Sequence, residues 1–360
     1  MPGGADVGDD SLSIRLRTEV DRAIQRSLKG LEFLGSPAPA VGATPKTLLH
    51  RRGTLSLHHY HASASEVYRV PILFVMATTN KAYIFDLAPG QSLIEFLLAR
   101  GHDVYVIDWD APMAEEHSLG LEDYTLDFIP DCITRVQQDS GVDDVTLVGY
   151  CMGGVLATVY AALHPSGPVK NLVCFTTPID FHEMALWQTW GDEEHFDVDR
   201  LVDAVGNVPP DFIVGAFDML RPAGFVAGKV RLWDNLWNDE YVKSYRRMDR
   251  WTAETLPLPG HYFRQVVKEL LRKNALNDAT LRVGGKRVDV RRIKVPLLHV
   301  IAANDHIVPP ACAAPLIAQA GSRDKEEVVL PGGHVSLVAG PNAVRRMWPK
   351  LDDWLQRRST

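Results

Sequence analysis

Between residues 70 and 176 the chain repeats a pattern that few folds can accommodate. Four short apolar runs, at 70–76, 103–107, 145–148 and 169–176, are separated by stretches long enough for a helix. A strand with one wet face alternates polar and apolar residues, so continuous runs indicate strands buried on both faces. The segments between them read as helices. One covers 92–100 and stops at Gly101, one covers 126–139 by its apolar spacing, and one covers 152–163 and stops at His164-Pro165. Strand and helix in repetition imply a parallel sheet with helices on both faces.

The repetition then breaks. From Ile179 to about Ile293 no strand stands out, several short helical patches occur, and five of the eight tryptophans gather (Trp187, Trp190, Trp233, Trp237, Trp251). Strand-like runs resume at 295–303 and 327–330, and a last helix is expected near 343–356. A mostly parallel sheet with a helical cap inserted after its fourth parallel strand is the α/β-hydrolase fold. The expected division is a disordered N-terminus over 1–11, a core formed by 12–180 and 293–360, and a cap over 181–292. Within the first part, Leu12, Leu16, Val20, Ala23, Ile24, Leu28 and Leu31 are spaced for a helix. Residues 35–45 read as a linker, and 54–60 alternate as a strand does.

The run 145–148 leads into Gly149-Tyr150-Cys151-Met152-Gly153, and a helix follows. Glycines two before and two after the cysteine permit the sharp turn that lifts a nucleophile to the carboxyl edge of the sheet. The helix N-terminus behind Cys151 favours thiolate over thiol. The Met152 N–H then stands as one oxyanion donor, and Thr78, in the loop after strand 70–76, is the candidate for the second. In this fold the acid and the base follow the nucleophile in that order. Asp305 lies just past strand 295–303 and His334 just past strand 327–330, so both belong to the same sheet edge as Cys151. His306 and Asn80 are expected as neighbours of the substrate site. Cys132, Cys174 and Cys312 read as buried structural cysteines.

Composition removes several alternatives. A net charge of −7, from 38 basic and 45 acidic residues, disfavours broad attraction to nucleic acid or anionic lipid. No apolar run approaches the roughly 18 residues of a membrane span. The opening MPGGADVGDDSLS lacks the basic and apolar regions of a secretory signal. Four irregularly spaced cysteines suggest neither a zinc site nor a disulfide framework, so a reducing cytoplasm is expected. His58, His59 and His61 have no carboxylate or cysteine at ligand spacing, and no metal is expected. Arg282, Lys286, Arg287, Arg291, Arg292 and Lys294 form a basic run that could meet coenzyme A phosphates, though a solvated loop is the simpler reading. No glycine-rich phosphate loop is present, and no cofactor is expected.

Several blocks in order then resemble the poly(3-hydroxyalkanoate) synthases. They are Asn80-Lys81 with Tyr83 and Asp86-Leu87, Gly101 through Asp108-Trp109, the box around Cys151 ending in Gly153-Gly154, Thr177-Pro178 with Asp180-Phe181, Asn304-Asp305-His306 with Pro309, and Gly332-Gly333-His334. The resemblance covers about residues 45–357. The short N-terminus is similar to the class III and IV enzymes, although Tyr150 and Met152 depart from the best-known class III box. It implies a catalytic subunit that polymerises 3-hydroxyacyl-CoA and releases CoA. Cys151 would carry the acyl group, His334 would be the base and Asp305 its acidic partner. It also implies a homodimer, a second dissimilar subunit, a growing polyester chain and a place at the surface of polyester granules. Coenzyme A would arrive and leave as part of the substrate.

The residue chemistry agrees with that implication. Moving an acyl group from a CoA thioester to a cysteine makes another thioester and keeps it activated, whereas a serine would lose that activation at the first step. Two other functions remain open. One is an intracellular polyester depolymerase or thioesterase with a Cys-His-Asp triad, and the other is a non-catalytic granule-associated partner protein.

Overall fold

The apolar runs become the inner strands of one sheet because burial on both faces leaves them no polar side. The computed structural model describes residues 7–359. Among them the strands are β1 (Lys46–Arg52), β2 (Leu55–Tyr60), β3 (Ile72–Val75), β4 (Val104–Trp109), β5 (Val145–Tyr150), β6 (Val169–Phe175), β7 (Arg282–Val283), β8 (Lys286–Arg287), β9 (Leu297–Ala302) and β10 (Lys325–Leu330). Eight form a single sheet in the order β1-β2-β4-β3-β5-β6-β9-β10. The contacts β1–β2 and β2–β4 are antiparallel, and all the others are parallel. Every residue of β3, β5 and β9 is buried. The fold is that of an α/β hydrolase.

The helices are α1 (Val7–Gly35), α2 (Leu93–Ala99), α3 (Ile129–Ser140), α4 (Met152–Leu163), α5 (Ala185–Gly191), α6 (Val198–Val205), α7 (Pro210–Leu220), α8 (Pro222–Asp234), α9 (Asp239–Ala253), α10 (Gly260–Gln265), α11 (Pro310–Ala313), α12 (Pro315–Gln319) and α13 (Trp348–Gln356). The Ser92 hydroxyl caps α2 by accepting the Glu95 N–H at 2.9 Å. Gly141, at φ 70°, ends α3. Residues Gly153–Leu163 of α4 are all buried, which makes it the central helix behind the nucleophile turn. Asp352 on α13 accepts from His102 at 2.9 Å and from Arg100 at 3.0 Å, tying the last helix to the turn before β4.

Three details differ from the sequence pattern. The edge strand β1, KTLLHRR, is mostly exposed and has no alternation to betray it; Gly53, at φ 53°, turns it into β2. The region 179–293 holds the short hairpin β7–β8, made by Gly284 and Gly285 with φ of 55° and 75°, the pair of positive values a tight hairpin requires. At the start of the chain, residues 1–6 lie outside the described residues, and α1 already begins at Val7 rather than after residue 11.

Contacts divide the chain into two compact units. One joins Met1–Ala40 to Arg221–Ala253, and the other joins Val41–Leu220 to Glu254–Thr360. The expected boundary had grouped α1 with the sheet and α8 and α9 with the rest of the insertion. Within the smaller unit, Lys29 pairs with Asp239 at 3.0 Å, Arg22 lies 5.2 Å from the Trp237 ring centre, and Arg246 donates to the Ser36 carbonyl at 2.8 Å. Leu16, Val20, Ile24 and Leu28 repeat at helical spacing, yet all four are exposed. The larger unit holds the sheet, α5–α7 and α10.

His299 on β9 is fully buried, and burial lowers its imidazole pKa to about 3. Its Nε2 accepts the Thr177 N–H at 3.3 Å. The unfolded chain takes up a proton at this residue below about pH 6.5 and the folded chain does not, so His299 makes stability fall as pH drops below that value. His299→Asn is therefore expected to lose less stability than the wild type on acidification, by up to about 1.4 kcal/mol per pH unit below about 6.5. Urea unfolding midpoints between pH 7 and pH 5 check this, and parallel curves for the two proteins would contradict it.

Candidate active site

The nucleophile turn is wedged between two strands. β5 ends at Tyr150, α4 begins at Met152, and Cys151 between them holds φ 53° and ψ −122°, a conformation that costs a residue with a Cβ. The neighbouring glycines make room for it. A Cβ on Gly149 would press on the backbone of Gly154, one on Gly153 would meet the Val75 carbonyl of β3, and one on Gly154 would meet the Thr177 side chain beyond β6. The Cys151 N–H donates to the Phe175 carbonyl at 2.9 Å, fastening the turn to β6.

Asp305 and His334 reach this turn from the next two strands. Beyond β9 and β10 the chains stay zipped, with Ala303 N–H to Leu330 and Asn304 N–H to Gly332. Asp305 Oδ1 accepts the N–H groups of Ile307 and Val308, each at 2.9 Å, and Oδ2 accepts from His334 Nδ1 at 2.7 Å. The Asp305 side chain has no exposed surface. With Nδ1 engaged in this way, Nε2 of His334 is left for Cys151. Burial alone would lower the imidazole pKa. The negative charge of Cys151 and the hydrogen bonds to Asp305 and Cys151 outweigh it and push the value up to about 10. That direction makes His334 a ready proton acceptor. The Tyr150 ring packs on His334 with centres 5.1 Å apart.

A cavity of about 240 Å3 lies against Cys151 and Met152. Its wall is almost wholly apolar, with Phe181, Met184, Trp187, Trp190, Phe212, Phe217, Phe263, Leu271, Ile307 and Val308 among the lining residues. Thr78 and Thr79 line it beside Met152. The Met152 N–H opens α4, where helix donors lack an acceptor within the helix. Thr78 and Met152 are thus brought to the nucleophile. Asn80 and His306 are not among the lining residues. Asn80 donates to Thr255 Oγ1 at 3.1 Å and accepts from Thr79 at 3.0 Å, so it fastens the loop after β3 to the segment before α10. His306 is exposed, and its neighbours Ile307 and Val308 face the cavity instead.

Other sequence features fall elsewhere. Cys132, Cys174 and Cys312 are completely buried, and burial raises each thiol. Trp187 and Trp190 line the cavity, whereas Trp233, Trp237 and Trp251 belong to the smaller unit. His59, which sequence spacing left without a carboxylate, pairs with Asp103 and Asp139 at 2.8 Å each. Of the basic run, Arg282 donates to the Gly285 carbonyl, Arg287 to the Ala279 carbonyl and Arg291 to Asp289. Tyr262 was not visible in the sequence. Its hydroxyl, Thr78 Oγ1 and Trp187 Nε1 are buried polar atoms on this cavity without a hydrogen bond of normal geometry among the described residues.

Comparison with known proteins fits this geometry. A model of the alpha/beta hydrolase fold matches residues 82–341, and a model of the poly-beta-hydroxybutyrate polymerase (PhaC) N-terminus matches residues 38–97. The chain is 33% identical over 357 residues to a poly(3-hydroxyalkanoate) polymerase subunit PhaC from Allochromatium vinosum, covering 98% of this chain and 99% of that one. The chain belongs to the PhaC family. Similar relatives carry the same name in Thiocystis violacea, 33% identical over 92% of this chain and 94% of that one, and in Haloferax mediterranei, 34% identical over 89% of this chain. The match spans 65% of the Haloferax protein's length. Among solved structures, a soluble variant of monoglyceride lipase from Saccharomyces cerevisiae shares the fold, with a TM-score of 0.55 at 14% identity over 91% of this PhaC relative and 97% of the lipase.

The strain at Cys151 can be measured directly. Cys151→Gly and Cys151→Ala both lack the thiol, but only glycine relieves the positive φ. The glycine variant is expected to be more stable by about 1 kcal/mol, the relief being partly offset by the greater freedom of glycine when unfolded. Denaturant unfolding of the pair reads the difference; a less stable glycine variant would show that the turn carries no strain.

Proposed function

We propose that the chain is the catalytic subunit of a polyhydroxyalkanoate synthase, which polymerises 3-hydroxyacyl-CoA through an acyl group carried on Cys151. The observation that carries this reading is a cysteine, not a serine, in the nucleophile turn, coupled to the His334–Asp305 pair beneath an apolar cavity. The curated relatives, named poly(3-hydroxyalkanoate) polymerases or their PhaC subunits, support it.

In this reading His334 Nε2 takes the Cys151 proton, and the thiolate attacks the thioester carbonyl of the substrate. The N–H groups of Met152 and Thr78 receive the developing oxyanion. CoA leaves with the proton from His334, and the acyl group remains on Cys151 as a thioester. His334 next deprotonates the attacking hydroxyl. That oxygen forms the new ester bond, and Cys151 departs as thiolate. The apolar wall keeps water from taking the hydroxyl's place. Both oxygens of Asp305 are already occupied by N–H donors. It therefore acts by orienting His334 and stabilising the imidazolium, rather than by touching the hydroxyl itself. No cofactor is required, since CoA is part of the substrate.

The partners that follow are 3-hydroxyacyl-CoA, the growing polyester, a second copy of the chain and a dissimilar second subunit. The place of action is the cytoplasmic surface of polyester granules. Among the described residues no helix is long and apolar enough to cross a membrane.

The test is single-turnover CoA release and steady-state polymer formation from 3-hydroxybutyryl-CoA, using protein co-expressed with its genomic neighbours. His334→Gln is expected to slow first-turnover release by at least about a hundredfold, the usual worth of a general base. Asp305→Asn should cost less and should lower both phases by the same factor. A larger loss in elongation than in acylation would give Asp305 a direct part in activating the hydroxyl. Release of free 3-hydroxy acid in place of polymer would make the protein a thioesterase.

A further inference from the structure

Two hydroxyl groups that line the nucleophile's cavity face each other without a well-formed hydrogen bond. Tyr262, on α10, is 1% exposed, and its ring lines the same cavity as Cys151 and Thr78. Tyr262 Oη faces Thr78 Oγ1, yet neither atom has a hydrogen bond of normal geometry among the described residues. A buried hydroxyl without a partner is costly, and such groups are kept where a ligand completes them. Burial raises the Tyr262 pKa and outweighs the opposing effect of the Thr78 hydroxyl, so the phenol stays protonated and able to donate.

The position of the phenol is fixed by its own surroundings. The Tyr124 ring meets it edge-on with centres 5.0 Å apart, and the Tyr262 N–H donates to the Leu119 carbonyl at 2.9 Å. Gly260, two residues earlier, lies so close to Gly206 that a Cβ would strike its carbonyl. The hydroxyl is therefore held in place before any substrate arrives, as a recognition group should be.

We infer that Tyr262 and Thr78 together receive the 3-hydroxyl group of the acyl chain attached to Cys151, and so make the site select hydroxyacyl over plain acyl thioesters. The inference rests on the synthase reading above and adds the residues that read the hydroxyl. An acyl thioester on Cys151 directs its carbonyl oxygen to the Met152 N–H. Its 3-hydroxyl, β to that carbonyl, is the remaining polar atom that must enter an otherwise apolar cavity. Tyr262 donates to this oxygen, whose own proton is donated to Thr78 Oγ1. All three hydroxyls are then satisfied. A substrate with hydrogen at that carbon would leave the two protein hydroxyls unpaired, and sites built around such a pair reject analogues lacking the group.

The experiment compares first-turnover CoA release from 3-hydroxybutyryl-CoA and from butyryl-CoA, in wild type, Tyr262→Phe and Thr78→Val, each co-expressed with its genomic neighbours. Removing one hydrogen bond is expected to cut the hydroxybutyryl-to-butyryl preference in kcat/KM by roughly tenfold. Thr78→Val keeps the backbone N–H and should move the preference the same way, so the test stands even if Tyr262→Phe folds poorly. An unchanged preference in both variants, or equal slowing of the two substrates, would overturn the inference. Wild-type protein that releases no CoA from 3-hydroxybutyryl-CoA would overturn the synthase reading itself, and the inference with it.

Discussion

The site depends on the strained turn at Cys151. A side chain at φ 53° persists only where surrounding structure leaves no alternative. Here β3 closes on Gly153, the chain after β6 closes on Gly154, and the Cys151 N–H is bonded to β6. The sheet order explains why this is possible. β5 lies between β3 and β6, so the turn after β5 is gripped from both sides. β9 and β10 then follow β6 outward and deliver Asp305 and His334 from the same edge. The strain in one residue is therefore maintained by long-range pairing across most of the sheet.

Much of this was legible in the sequence because burial leaves a mark on composition. β3, β5 and β9 are buried throughout and read as continuous apolar runs. Cys151 and Asp305 lie just past such runs, and His334 lies just past the shorter run 327–330. What escaped notice had no periodic signal. β1 is exposed along most of its length and owes its place to pairing with β2. Tyr262 sits in a six-residue helix within a stretch of short elements, and only the fold brings its hydroxyl to face Thr78, 184 positions earlier in the chain. The carboxylates of His59 come from the start of β4 and from α3, which spacing along the chain does not reveal. His306 is exposed and does not line the cavity. Adjacency to Asp305 suggested a site residue, but the turn that engages the Asp305 carboxylate sends Ile307 and Val308 toward the cavity.

The division into two compact units has a similar cause. The helix over the first residues has the apolar spacing of a core helix, and spacing alone assigns it to the sheet. Its partners are instead residues 221–253, through pairs such as Lys29 with Asp239. Periodicity reports that a helix has an apolar stripe and is silent on which element covers it; in α1 the stripe from Leu16 to Leu28 is largely uncovered within the described structure.

The central claim is that a cysteine at this turn carries the growing chain. The most direct measurement is peptide mass spectrometry after rapid acid quench of the protein with 3-hydroxybutyryl-CoA. The account predicts that the mass added is that of one or more hydroxybutyryl units, that it lies on the peptide containing Cys151, and that hydroxylamine removes it, as it does a thioester. A hydroxybutyryl group found on another residue, or turnover to polymer with Cys151 never modified, would contradict it.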